Sequence, residues 1–138
     1  MFFKKKSEDT QNAAQISRKI LTIEDDPGQR MMIQKTLEKK GYTVLLADSG
    51  EKGLEAAFLQ KPDLILLDVI MPGMHGEEVC KKLKNDTRTK NIPVLFLTSV
   101  NEPRDVIEHY DLGAEVHLTK PINPKELIAQ IEITFGQR

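Results

Sequence analysis

The chain has 138 residues, of which 39% are hydrophobic and 30% are charged, a composition that excludes a wholly disordered protein and fits one globular domain. Its 20 Lys and Arg residues and 21 Asp and Glu residues leave a formal net charge of −1, which argues against a nucleic-acid partner because such proteins present a basic surface. The single cysteine, Cys80, excludes an intrachain disulfide, and the lack of an apolar run of about 20 residues argues against stable membrane insertion, so we expect a cytoplasmic protein.

Residues 1–17 have no sustained helical or strand period, and we expect a flexible N-terminal tail there. The alternative is a docking segment in which Phe2 and Phe3 lie beside the basic cluster at 4–6. Membrane contact through the same residues is a weaker alternative, because about one turn of apolar surface is too little for stable attachment. We expect the folded domain to cover residues 18–138.

The first half of this domain predicts, in chain order, a strand at 20–23, a helix capped by Asp26, a strand at 43–47 and a helix capped by Ser49. Pro27 suits the first position of the first helix, and Gly41 ends that helix. Pro62 lies beyond the end of the second helix. Two strand and helix pairs therefore follow one another with short links.

The second half predicts a strand at 64–67, a helix around Val79 and Leu83, a strand at 94–97, a helix at 103–111, a strand at 116–118 and a helix opened by Asn123 and Pro124. In the helix at 103–111 the apolar positions are Val106, Ile107 and Tyr110. Several strands are apolar at every position, as strands buried on both faces of a parallel sheet are. Five strand and helix pairs predict a doubly wound α/β domain whose ligands bind at the carboxyl ends of the strands.

The polar residues that follow the strands form the candidate site: Glu24, Asp25 and Asp26 after the first strand, Asp68 after the third, Thr98 after the fourth and Lys120 after the fifth. Clustered carboxylates raise one another's pKa unless a cation is present, and Mg²⁺ prefers such oxygen ligands. A carboxylate beside Mg²⁺ can act as a nucleophile, and a lysine can neutralise a phosphoryl group. Taken singly, Asp26 is better interpreted as a helix cap, and Glu24 could be a solvated acid.

Four segments of the chain together resemble the receiver domains of two-component response regulators. They are ILTIEDDP at 20–27, PDLILLDVIMPGMHG at 62–76, IPVLFLTS at 92–99 and GAEVHLTKP at 113–121. The resemblance covers about residues 18–136. It implies the flavodoxin-like (βα)5 receiver fold, with a five-stranded parallel sheet in the order 2-1-3-4-5.

The resemblance also implies roles for single residues. Asp68 matches the phosphoacceptor, Thr98 matches the switch hydroxyl that turns toward the phosphoryl group, and Lys120 matches the lysine that contacts that group. The bond between Lys120 and Pro121 is usually cis in such domains. The family therefore assigns the chemistry to the same strand ends that the residue pattern indicates.

A magnesium site is implied by the same resemblance. Glu24 and Asp25 match the acidic pair that holds Mg²⁺, with Asp25 as the direct ligand and Glu24 acting mainly through water. Asp68 and the backbone carbonyl of Ile70 match the remaining protein ligands. We accordingly expect Mg²⁺ as the cofactor, with Glu24, Asp25, Asp68 and Ile70 as its metal-binding residues.

Several positions depart from the family pattern. Three residues before Lys120 the family usually has Tyr or Phe, but this chain has His117, which either swings as a pH-sensitive switch or merely occupies a strand position. His75 replaces a common Asp, and we expect it to be exposed and without effect. Ile70 and Val100 are apolar where relatives use polar groups to direct hydrolytic water, so we expect slow autodephosphorylation.

We expect a stand-alone receiver that a sensor histidine kinase or histidine phosphotransfer protein phosphorylates and that signals to an effector protein of unknown identity. It would be a monomer or weak dimer and would catalyse only its own phosphorylation and dephosphorylation. The initiator methionine and the end soon after the fifth helix favour a complete small protein. One alternative is a receiver-like interaction module that works without phosphorylation, and another is a hydrolase with an aspartyl nucleophile, for which Ile70 stands where a second acid is needed.

Overall fold

The structure is a computed structural model that describes residues 18–99 and 103–136, so the expected tail at 1–17 and Val100 lie outside the described residues. The five strands of the described part are Lys19–Ile23 (β1), Thr43–Ala47 (β2), Leu64–Asp68 (β3), Val94–Thr98 (β4) and Val116–Thr119 (β5). Its five helices are Pro27–Lys39 (α1), Gly50–Gln60 (α2), Gly76–Lys84 (α3), Pro103–Asp111 (α4) and Pro124–Gly136 (α5). None of the helices in the described part is long and apolar enough to cross a bilayer.

The strands form one parallel sheet in the order β2-β1-β3-β4-β5, as expected. Strand β2 lies on one side of β1, and β3, β4 and β5 follow on the other side. Strands β1 and β3 are therefore neighbours although β2 lies between them in sequence. Asp68 pairs in register with Leu97, and Thr98 pairs with Thr119. The register therefore brings the ends of β3, β4 and β5 to one edge, where ligands of such sheets bind.

Two hydrophobic layers lie on opposite faces of the sheet. Leu21, Ile23 and Phe96 pack with the inner faces of α2 and α3, whereas Ile20 and Leu95 pack with those of α1 and α5. Every residue of β3 and β4 is buried, which confirms the prediction from their uninterrupted apolar runs. The edge strands β2 and β5 are only partly buried.

The helix boundaries follow from capping residues that the sequence indicated. The Asp26 carboxylate accepts a hydrogen bond from the backbone N–H of Gln29 at 2.8 Å, which confirms its role as the cap of α1. Ser49 caps α2 in the same way, accepting from the N–H of Lys52 at 3.2 Å. Gly41 has φ +94°, a conformation that glycine adopts without strain, and the chain turns there into β2.

Helix α4 forms over the predicted residues but presents a face that the apolar pattern does not predict. Ile107 and Tyr110 are 62% and 47% exposed, whereas the buried side chain is that of His109. The edge of the His109 ring meets the Phe96 ring of β4, with ring centroids 4.7 Å apart. The contact of His109 with Phe96, and not burial of Ile107 or Tyr110, therefore marks the face of α4 that lies against the sheet.

Candidate functional site

Three carboxylates converge at the carboxyl edge of the sheet. Glu24 and Asp25 follow β1, Asp68 ends β3, and one carboxylate oxygen of each lies within 4.8 Å of the other two. Glu24 is completely buried and Asp68 is 3% exposed, so the interpretation of Glu24 as a solvated acid is wrong. Buried carboxylates this close together are costly unless cations compensate them.

Lys120 supplies one compensating charge. Its Nζ lies 3.0 Å from Glu24 Oε1 and 3.2 Å from Asp68 Oδ1, so one ammonium group pairs with two acids. The backbone places it there, because the Lys120 N–H donates to the carbonyl of Thr98 at 2.8 Å at the end of β4. The bond between Lys120 and Pro121 is cis, as the resemblance implied.

Burial and the neighbouring acid change the pKa of Asp68. Burial, hydrogen bonding to Glu24 and the charge of Glu24 raise the pKa of Asp68 from 3.8 to about 7, although Lys120 acts in the opposite direction. Burial lowers the pKa of Lys120, but hydrogen bonding and attraction to Glu24 and Asp68 outweigh it, and the pKa is raised overall. The Lys120 charge thus offsets these effects only in part, and an added divalent cation would favour the ionised form of Asp68.

The loop after β3 fixes the position of the Asp68 side chain. The N–H of Ile70 donates to Asp68 Oδ1 at 3.3 Å, and the Ile70 side chain is 53% exposed. The N–H of Gly76, the first residue of α3, donates to the carbonyl of Val69 at 2.8 Å. A Cβ atom at Gly76 would collide with the Asp68 carbonyl oxygen, so only glycine lets α3 begin this close to the loop.

Thr98 lies where the sequence placed it, at the end of the strand beside β3. It is 1% exposed, and its carbonyl accepts from the Lys120 N–H. The structure therefore brings Glu24, Asp25, Asp68, Thr98 and Lys120 to adjoining strand ends, as predicted.

Sequence reasoning missed Arg30, the fourth residue of α1. Its Nη1 donates to the carbonyl oxygen of Glu24 at 2.9 Å and to that of Asp25 at 3.2 Å. The only sequence signal is an arginine one helical turn after the cap Asp26, and such a residue is ordinarily read as a solvated charge.

His117 forms part of a second polar group next to the site. Its ring stacks on that of His109, and His109 Nε2 lies 2.9 Å from Glu77 Oε2. His75, by contrast, is exposed, as expected, and its side chain does not cap α3. The three histidines thus differ in environment, and two of them link α3, α4 and β5.

Comparison with known proteins gives one consistent result. The family model for the response regulator receiver domain matches residues 20–132. Protein PilH of Pseudomonas aeruginosa is 34% identical over 118 residues, which cover 86% of this chain and 98% of PilH. The chemotaxis protein CheY4 of Vibrio cholerae superposes with a TM-score of 0.81 at 34% identity, covering 84% of this chain and 97% of CheY4.

Larger proteins match over part of their length. The DNA-binding dual master transcriptional regulator RpaA of Synechocystis is 42% identical over 113 residues, which are 82% of this chain but 47% of RpaA. The chain spans about half the length of the curated transcriptional regulators that it matches. The similarity therefore concerns their receiver-like part.

Proposed function

The chain belongs to the response regulator receiver domain family, and on this premise we propose that it accepts a phosphoryl group on Asp68 from a histidine kinase or a histidine phosphotransfer protein. One observation carries the proposal. The buried Asp68 carboxylate lies 3.2 Å from the Lys120 ammonium group and within 4.8 Å of the carboxylates of Glu24 and Asp25. A nucleophile, a cation for the phosphoryl oxygens and a set of metal ligands thus meet at one point.

Receiver domains generally bind Mg²⁺ at an acidic cluster, and the donor set here fits such an ion. The fit rests on three converging carboxylates with one lysine to compensate them, and on the raised pKa of Asp68 that results. We assign Glu24, Asp25, Asp68 and the backbone carbonyl of Ile70 as the residues that would hold it. When bound, Mg²⁺ would neutralise negative charge on the phosphoryl oxygens.

The residues of the chain account for the transfer itself. An Asp68 carboxylate oxygen attacks phosphorus in line while the bond from phosphorus to the donor imidazole nitrogen breaks. The electron pair of that bond leaves with the nitrogen, and an aspartyl phosphate forms. Lys120, already 3.2 Å from Asp68, would move its hydrogen bonds onto the phosphoryl oxygens, and the Ile70 N–H would hold the carboxylate in place.

Signalling would follow from a shift between two conformations. The phosphoryl group would draw the Thr98 hydroxyl toward it and bias the face formed by α4, β5 and α5, on which His117 lies. The altered face would then bind an effector protein in the cytoplasm, with the chain acting as a monomer or weak dimer. Because receiver domains are signalling domains rather than enzymes in the usual sense, the only reactions we propose for this chain are its own phosphorylation and dephosphorylation.

The test uses acetyl phosphate as a small phosphodonor and intact mass as the readout. We expect one phosphoryl adduct on the wild-type chain with Mg²⁺, none when the Mg²⁺ is chelated, and none on Asp68→Asn. Failure of the wild type to form an adduct, or an unchanged adduct on Asp68→Asn, would contradict the proposal.

A further inference from the structure

Arg30 reaches from α1 to the backbone that carries the two acids after β1. Its Nη1 donates to the carbonyls of both Glu24 and Asp25, at 2.9 and 3.2 Å. The backbone N–H of Arg30 donates to the Asp26 carbonyl at 2.9 Å. The side chain is half-buried, and the charged donor makes these hydrogen bonds stronger than neutral ones. Arg30 therefore joins the first turn of α1 to two successive peptide groups of the loop.

These contacts complement the other restraints on the loop. The N–H of Glu24 donates to the Ala47 carbonyl of β2 at 3.0 Å, and the N–H of Asp26 donates to Glu24 Oε2 at 3.2 Å. These two hydrogen bonds hold Glu24 and Asp26, the residues on either side of Asp25. Arg30 adds a bond to the Asp25 peptide itself, which sets the direction in which the Asp25 side chain leaves the backbone.

The electrostatics of the ion-free site oppose this arrangement. Glu24, Asp25 and Asp68 repel one another, and the half-buried Asp25 can move away most easily, because Glu24 and Asp68 are buried and pair with Lys120. A guanidinium group bound to the backbone of the loop resists that movement. The two N–H groups of Nη1, one for each carbonyl, point in directions that the guanidinium plane fixes, whereas the N–H groups of a lysine ammonium rotate freely.

We propose that Arg30 is a positioning residue for the cation site, holding Glu24 and Asp25 so that their carboxylates converge on Asp68 before the ion binds. The inference rests on the proposed function for the identity of the ion, Mg²⁺. Residues that orient metal ligands typically change metal affinity by about 10- to 100-fold when they are replaced. Arg30 has that effect through geometry and against its own charge, because a cation near the site repels the incoming ion.

Two substitutions at Arg30 separate geometry from charge. Arg30→Lys keeps the positive charge but loses the planar donor, and Arg30→Gln loses the charge and, because its side chain is shorter, the reach to the two carbonyls. Lys52→Gln is the matched control, because Lys52 lines the same cavity of about 180 Å³ as Arg30, yet its Nζ pairs with the exposed Asp48 at 3.2 Å. Circular dichroism and thermal unfolding establish that each variant is folded.

The measurement is Mg²⁺ affinity by isothermal titration calorimetry on the full chain without phosphodonor. We expect both Arg30 variants to bind Mg²⁺ about 10- to 100-fold more weakly than the wild type, and Lys52→Gln to bind it within about threefold. Faster amide hydrogen exchange of residues 24–26 in ion-free Arg30→Lys is the second expected result, since it reports the freed loop.

Other results overturn the proposal. Wild-type affinity in Arg30→Lys, or tighter binding in Arg30→Gln, would show that the guanidinium does not position the acids, because loss of its charge alone favours Mg²⁺. An equal loss in Arg30→Gln and Lys52→Gln would show an effect that is not specific to Arg30. Absence of Mg²⁺ binding to the wild type would overturn the inference as well. A wild type that binds Mg²⁺ but is not phosphorylated would refute the proposed function and leave the role of Arg30 intact.

Discussion

The imidazole ring of His117 in β5 stacks on that of His109 in α4, with centroids 5.2 Å apart and planes inclined by 24°. His109 also lies 2.9 Å from the Glu77 carboxylate of α3 and contacts the Phe96 ring. Within the described residues, His109 Nδ1 and His117 Nε2 are buried without a hydrogen-bond partner. This arrangement favours the neutral form of His117, because the charge of a doubly protonated His117 ring would be neither solvated nor paired at Nε2.

Stability should therefore depend on pH through His117. Burial and repulsion from His109 lower the pKa of His117 below its usual 6.5, so the unfolded chain binds the proton more readily than the folded chain does. The free energy of unfolding is then retained above about pH 6.5 and falls as the pH drops below it. Urea denaturation at several pH values measures this loss.

The matched variant is His117→Phe, which keeps an aromatic ring and cannot be protonated. We expect the difference in unfolding free energy between wild type and variant to change between about pH 7 and pH 5, in the direction that favours the variant at low pH. Taking the difference removes the contribution of Asp68, which is present in both proteins. A difference that is constant over this range would contradict the account of the histidine pair.

Replacing the phosphoacceptor should stabilise the protein when no divalent cation is present. Because the folded pKa of Asp68 is raised to about 7 from 3.8, the unfolded chain loses this proton first, and the free energy of unfolding falls as the pH rises from about 4 to about 7. We expect Asp68→Asn to raise the free energy of unfolding by about 1–3 kcal/mol at pH 8 in chelator, with a smaller gain at pH 5. Urea denaturation of both proteins, with and without Mg²⁺, measures the gain.

Added Mg²⁺ should reduce the difference in unfolding free energy between Asp68→Asn and the wild type. The ion binds the folded wild type and stabilises it by mass action, whereas Asp68→Asn lacks one ligand and gains less. Equal stability of the two proteins in chelator at pH 8 would show that the acids do not strain the ion-free site.

The start of α3 should tolerate no side chain at Gly76. A Cβ there would meet the Asp68 carbonyl oxygen and the Val69 Cα, so α3 or the loop after β3 must shift. We expect Gly76→Ala to lower the free energy of unfolding by about 1–3 kcal/mol, as overpacking usually does, and to slow phosphorylation. Gly136→Ala is the control, because a Cβ at Gly136 meets nothing within 4 Å, and its unfolding free energy should stay near that of the wild type.

The apolar side chain of Ile70 should lengthen the life of the aspartyl phosphate. Ile70 is next to the site, and its side chain is 53% exposed. It can therefore cover the acyl phosphate, and it has no polar group with which to direct a hydrolytic water molecule. We expect Ile70→Asn to shorten the adduct lifetime by about three- to tenfold, and Ile70→Asn with Val100→Glu to shorten it further. Ile133→Asn on α5 is the control, since Ile133 is also 53% exposed. If the double variant keeps the wild-type lifetime, the shielding explanation fails.

The sequence predicts the sheet and the site edge well because both follow from local patterns. Fully apolar runs mark the buried strands, and parallel pairing then brings Asp68, Thr98 and Lys120 together without further information. Arg30 could not be predicted, since its partners are backbone carbonyls, which have no sequence signature. His109 was missed for a related reason, because its burial depends on ring contacts with Phe96 and His117 that come from other elements.

The most direct test of the central claim is to locate the phosphoryl group on the chain. After incubation with acetyl phosphate and Mg²⁺, borohydride reduction converts a phosphorylated aspartate to homoserine, which peptide mass spectrometry identifies by position. The account predicts conversion at Asp68 in the wild type and, unchanged, in Asp26→Asn, whose asparagine still caps α1 beside the site. Conversion at a different carboxylate, or none at Asp68 while acetyl phosphate remains intact, would contradict it.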